Sequence, residues 1–168
     1  MKPFIQLLFC IIFLLITQTE LHAQEKHKPD LKPYSEFNGD SIAYLKVNFG
    51  SGGINFYRNH PIKDLLEDLD IKIKTVEINI GGSKEWVWML NFFVQSSDQL
   101  EFIENRVDGY PLAVTLEHYL TKENGELYDS LTQGHRTHYW IPFDEDFQKL
   151  IEPLIIGSVY YYGPKQAR

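Results

Sequence analysis

The sequence predicts an α+β domain: a mostly antiparallel sheet of five or six strands with three or four short helices packed on one face. Two patterns and one compositional fact carry this expectation. Several stretches place apolar residues at every second position, and others between them place such residues at helical spacing. Only three alanines stand after residue 23, fewer than a helical bundle would want. Helices layered over one face of an antiparallel sheet are the economical way to bury both kinds of surface.

Gln24 to Glu36 is polar, carries Pro29 and Pro33 and lacks periodicity, so residues 24–36 are expected to form a flexible lead-in. The domain is expected over residues 37–168. Asn38-Gly39-Asp40-Ser41 reads as a turn with a helix cap, and Ile42, Leu45 and Phe49 recur at helical spacing before Gly50. A strand with Leu45, Val47 and Phe49 on one face is the competing reading, and the helix is preferred. Ser51 to Gly53 is a loop, and Ile54 to Arg58 is expected as a short strand. Asn59 or His60 can cap the next helix, Pro61 suits its first turn, and Ile62, Leu65, Leu66 and Leu69 make one stripe over 61–69.

After Asp70 the period becomes two, with Val76, Ile78 and Ile80 on one face of a strand. Gly81-Gly82-Ser83 turns the chain. Trp86 to Val94, aromatic and β-branched, then reads as a central strand antiparallel to its predecessor. Ser96-Ser97-Asp98 offers a cap for a short helix with Leu100 and Ile103, and Asp108 to Pro111 is a turn. Leu112 to Leu120 alternates, with Leu112, Val114, Leu116, His118 and Leu120 facing one way. Asn124-Gly125 is a hairpin signal, which predicts a partner strand near Leu127 to Leu131. A turn at Gln133-Gly134 and a strand over Thr137 to Pro142 follow. Asp144 caps a helix carrying Phe147, Leu150 and Ile151; Pro153 ends it, and Ile155 to Tyr162 is the last strand.

The first 23 residues stand apart. Lys2 gives a positive end, Phe4 to Ile16 is interrupted only by Gln6, and the stretch closes on Leu21-His22-Ala23. That is the layout of a secretory signal peptide cut after Ala23, and its apolar run is short for a membrane span. Cys10 follows Phe9 rather than a small residue, so lipidation is not expected. Removing the leader removes the only cysteine, so the exported chain, periplasmic or secreted, carries no disulfide. No later stretch approaches the ~20 apolar residues of a spanning helix.

Lys2 and Glu20 leave together, so the remainder keeps 15 basic against 22 acidic residues, a formal charge of −7. This acidity excludes nucleic acid, whose phosphates demand a basic face, and disfavours anionic membranes. A protein partner with a basic surface fits it.

No motif assigns a reaction, and no cofactor is expected. His135 and His138 have the spacing for a shared metal on a helix, but they lead into a predicted strand, where such positions face opposite ways. Asp144, Glu145 and Asp146 sit where carboxylates favour a helix start. Glu67, Asp68 and Asp70 lie on or just beyond the polar face of the 61–69 helix. The Gly50-Ser51-Gly52-Gly53 loop lacks the Lys-Ser/Thr ending of a phosphate loop, and no Gly-x-Ser-x-Gly is present.

The aromatic residues stand out more, since 21 of the 24 lie beyond residue 23. Trp86 and Trp88 share a face of their strand, and Trp140 comes from another. A row of such rings is a surface on which sugars stack, and filling the core is the other use for them.

The Leu-His-Ala-Gln ending of the leader resembles those of small exported proteins of Bacteroidetes-type bacteria, which implies export and no particular activity. The helix at Pro61 with the strand near Lys72 resembles the opening of cell-wall-binding PASTA domains, but Asp70 stands where that family has glycine, and the function is not carried over. The expected function is thus an exported, non-enzymatic module that binds a protein partner. Carbohydrate or cell-wall binding through Trp86, Trp88 and Trp140 is the alternative, and a small hydrolase without a recognisable motif is the third.

Overall fold

A computed structural model describes residues 28–50, 55–81, 86–95, 111–133 and 139–163. The leader, its cleavage site, the helix expected after Ser96 and the His135/His138 pair lie outside these residues. The fold is α+β. Among the described residues four helices, α1 (Ser41–Phe49), α2 (Ile62–Asp68), α3 (Glu126–Thr132) and α4 (Glu145–Ile151), accompany five strands. The strands are β1 (Thr75–Gly81), β2 (Trp86–Phe93), β3 (Leu112–Leu120), β4 (Tyr139–Pro142) and β5 (Ile156–Tyr161). They form one sheet in the order β4-β1-β2-β3-β5, every neighbouring pair antiparallel, with β2 at the centre as expected.

Alternation divides the sheet into two faces. Val76, Ile78 and Ile80 of β1, Leu90 and Phe92 of β2, and Leu112 and Val114 of β3 share a core with Tyr44, Leu45 and Phe49 of α1. Ile62 and Leu65 of α2, Tyr128 and Leu131 of α3, and Phe147 and Ile151 of α4 join the same core. All four helices therefore lie on one face. Two connections cross it: α3 carries the chain from β3 to the far edge at β4, and α4 returns it to β5.

Local chemistry starts and stops these helices. The Asp40 side chain accepts from the Ala43 N–H at 2.9 Å, and Asp144 accepts from the Phe147 N–H at 2.8 Å. Leu154, just past Pro153, closes the core beneath α4.

The structure departs from the expected elements in two places. Asn55–Tyr57 is a 3₁₀ turn rather than part of a strand, which drops the Tyr57 ring into the core and lets its hydroxyl donate to Asp68 at 2.9 Å. More consequentially, Asn124-Gly125 makes no hairpin. The Asn124 side chain accepts from the Thr121 N–H at 2.7 Å and closes a capping box, Gly125 takes φ +56°, and the chain runs on into α3. Leu127 and Leu131 are four apart and Asp129 between them breaks strict alternation, so residues 126–132 suit a helix better than a strand. β5 occupies the place beside β3 that the hairpin strand would have taken.

Residues 28–37 lie against the helical layer. Lys28 pairs with Asp68 at 2.6 Å, and Asn48 exchanges two hydrogen bonds with the Lys32 backbone, at 2.9 and 3.0 Å. The Tyr34 N–H donates to Asp70 at 2.8 Å, and the rings of Tyr34 and Phe37 meet Tyr44 edge-on, each at 5.6 Å. Among the described residues no helix is long and apolar enough to cross a membrane.

Candidate functional site

The second face of the sheet carries no helix among the described residues. The register sets its rows: Trp140 of β4 lies opposite Glu77 of β1, then Asn91 of β2, Ala113 of β3 and Tyr160 of β5. The next row is Asn79, Met89, Thr115 and Ser158. At the middle of this face Glu77 Oε2 accepts from Asn91 Nδ2 at 2.6 Å and from Asn79 Nδ2 at 3.4 Å. Thr115 and Ser158 join their hydroxyls at 2.6 Å. Met89, Asn91, Phe93 and Ala113 are buried here, so this part of the face is closed to a ligand. Burial raises the Tyr160 pKa above that of an ordinary tyrosine, and contact with Tyr162 adds to the shift.

The opposite end of the face is open, because β2 and β3 part there. Met89 faces Thr115 and Val87 faces Leu120, so Trp88 alone stands against the four residues Leu116 to Tyr119. Trp88 is also the extra residue of a bulge against β1, since Asn79 pairs with Met89 and Ile80 with Val87. β3 stays with β5 meanwhile: Leu116 pairs with Ile156, and the Glu117 N–H donates to the Ile155 carbonyl at 2.9 Å. Gly157 permits that approach, because a Cβ there would stand 3.1 Å from the Leu116 backbone and Thr115 Oγ1.

The parting leaves a cleft of about 600 Å³ lined by Trp88, Thr115, Glu117, His118, Tyr119 and Gly157, with Leu116 beneath. Its rim carries an aromatic pair. The rings of Trp86 and Tyr119 lie 5.5 Å apart at 30°, and Tyr119 is 54% exposed. Gly81, opposite Trp86 in β1, makes room for the indoles: a Cβ there would collide with Trp86 Nε1 and stand 3.1 Å from Trp88 Cδ1. Glu117 faces Arg58 across 3.9 Å, an ion-pair distance too long for a hydrogen bond.

The three tryptophans are therefore not one surface. Trp86 and Trp88 come together over Gly81, with Tyr119 beside them. Trp140 shares the face but sits two strands away and about four residues, roughly 13 Å, along the sheet. All three are half-buried. Tyr119 is the residue that sequence reasoning missed. The alternation that put Leu120 on the core face put Tyr119 on the other, the face of the tryptophans, but only the pairing of β2 with β3 makes it a neighbour of Trp86.

Two other groupings have structural work to do. His60 Nδ1 contacts Asp64 at 2.9 Å across one turn at the start of α2, with Phe56 stacked on the imidazole at 5.1 Å. Asp68 and Asp70 bind Tyr57, Lys28 and Tyr34. Among the described residues no three His, Cys, Asp or Glu side chains gather as a metal site. No protein-family model, curated protein or solved structure matches this chain.

Proposed function

We propose that this protein is an exported, non-enzymatic binding module that takes a carbohydrate on the cleft lined by Trp88 and Tyr119, with Trp86 stacked on Tyr119 at its rim. The observation that carries this reading is the aromatic pair at 5.5 Å beside Trp88, on the rim of an open cleft. Exposed rings cost free energy in water, and a pyranose offers an apolar face that covers them. Glu117, His118 and the Thr115 hydroxyl stand where they can orient sugar hydroxyls, the pattern of few polar groups among apolar walls that small-molecule sites use. Export rests on the leader, and mass spectrometry of the secreted protein should find Gln24 at its N-terminus.

Intrinsic tryptophan fluorescence tests the site. In a glycan survey, a bound sugar should shift the emission and protect it from iodide quenching. Trp88→Ala should weaken that sugar by about tenfold or more while the circular dichroism stays unchanged. Tryptophans that iodide cannot reach in the free protein, or undiminished binding by the variant, would sink the reading.

A further inference from the structure

Trp86 and Tyr119 divide two clefts rather than lining one. Tyr119, without Trp86, lines the 600 Å³ cleft, together with Trp88, Glu117 and His118. Trp86, without Tyr119, lines a second cleft of about 330 Å³, together with Thr121, Lys122 and Glu123. Because the two rings are in contact, a ligand passing from one cleft to the other crosses a continuous aromatic partition. We infer that the clefts are adjoining subsites, and that the ligand is an oligosaccharide of at least two uncharged rings lying across the partition. This rests on the carbohydrate reading of the first cleft.

The second cleft has a rigid wall. Thr121 Oγ1 accepts from the Glu123 N–H at 3.3 Å, Asn124 Oδ1 accepts from the Thr121 N–H at 2.7 Å, and the Gly125 N–H donates to the Lys122 carbonyl at 3.1 Å. Lys122 and Glu123 thus stand on a closed turn, and a turn already ordered loses little entropy when a ligand arrives.

Charge chooses the class of sugar. Each cleft sets one carboxylate beside one cation: Glu117 with Arg58 at 3.9 Å at the first, Glu123 with Lys122 in the second. Carboxylates accept strongly from sugar hydroxyls. Neither cleft has the excess of positive charge that a chain of uronic acids would need, and the net charge of −7 repels such a chain.

The test is calorimetric titration of the mature protein with two series: N-acetylglucosamine, chitobiose and chitotetraose, and glucose, cellobiose and cellotetraose. Tetragalacturonate serves as the charged comparison. In at least one neutral series the tetramer should bind about tenfold tighter than the monosaccharide, because the second ring arrives already tethered. The double variant Lys122→Ala/Glu123→Ala should remove that gain and leave the monosaccharide unchanged, and Trp88→Ala should weaken both. Glu123→Ala alone, at an exposed side chain, provides the same reading should the double variant fold poorly. Equal affinity for monomer and tetramer, or a tetramer unaffected by the change at 122 and 123, overturns the two-subsite inference and leaves the first cleft standing. Binding of tetragalacturonate above the neutral sugars overturns the charge assignment. Failure of every one of these sugars to bind overturns both.

Discussion

At the scale of single residues, Gly81 holds the aromatic site together by lacking a side chain: two indoles occupy the space a Cβ would take. Gly81→Ala should push Trp86 and Trp88 off β1, red-shift the tryptophan emission and weaken the bound sugar by about tenfold or more. An unchanged emission spectrum would show that the indoles do not rest there. Tyr44 and Tyr57 act on stability instead. Both are fully buried, and desolvation raises their pKa values above the tyrosine norm, with the Asp68 hydrogen bond adding to the shift at Tyr57. Above about pH 10 the unfolded chain therefore loses these protons while the folded chain keeps them. Stability should hold up to that pH and then fall by about 1.4 kcal/mol per pH unit for each tyrosine, until the folded hydroxyls also ionise. Urea titrations between pH 8 and 11 would follow this, and Tyr57→Phe should shallow the slope.

At the scale of elements, α3 shows what periodicity can and cannot decide. Asn-Gly favours a two-residue hairpin only where two strands are ready to pair across it. Here Thr121 stands three residues before Asn124 and closes a capping box, which turns the same dipeptide into a helix entrance. Thr121→Ala should cost about 1 kcal/mol. Leu131→Ala, at a fully buried position of α3, should cost about 2–5 kcal/mol in urea unfolding. A Leu131 change below 0.5 kcal/mol would mean the helix does not pack where it is described. The strands Val76 to Ile80 and Leu112 to Leu120 were legible because several alternating residues report the same face, and Trp86 to Val94 because it is aromatic, β-branched and almost uncharged. The 3₁₀ turn at Asn55–Tyr57 was not, because three residues are too few for either period to register.

At the scale of the molecule, the segment from Lys28 to Phe37 ties the chain's entry to α1 and to the end of α2 through Asp68, Asp70 and Asn48. Deleting residues 24–36 should lower the unfolding free energy by on the order of 3 kcal/mol, since Leu31 and Tyr34 leave the core surface with it. Asp70→Asn should reproduce part of that loss, and hydrogen exchange at the Tyr34 amide should rise in that variant. By itself the sequence determined the fold class, most of the helices and strands, and the face on which the apolar residues of β1 and β3 lie, because these are local consequences of spacing and capping. It also singled out Trp86 and Trp88 as neighbours, being two apart on one strand. Only the tertiary structure decided that β2 and β3 part at Trp88, that Tyr119 joins the tryptophans and that Trp140 does not. Those facts depend on strand order and register, which arise from contacts between residues far apart in the chain, and no local period encodes them.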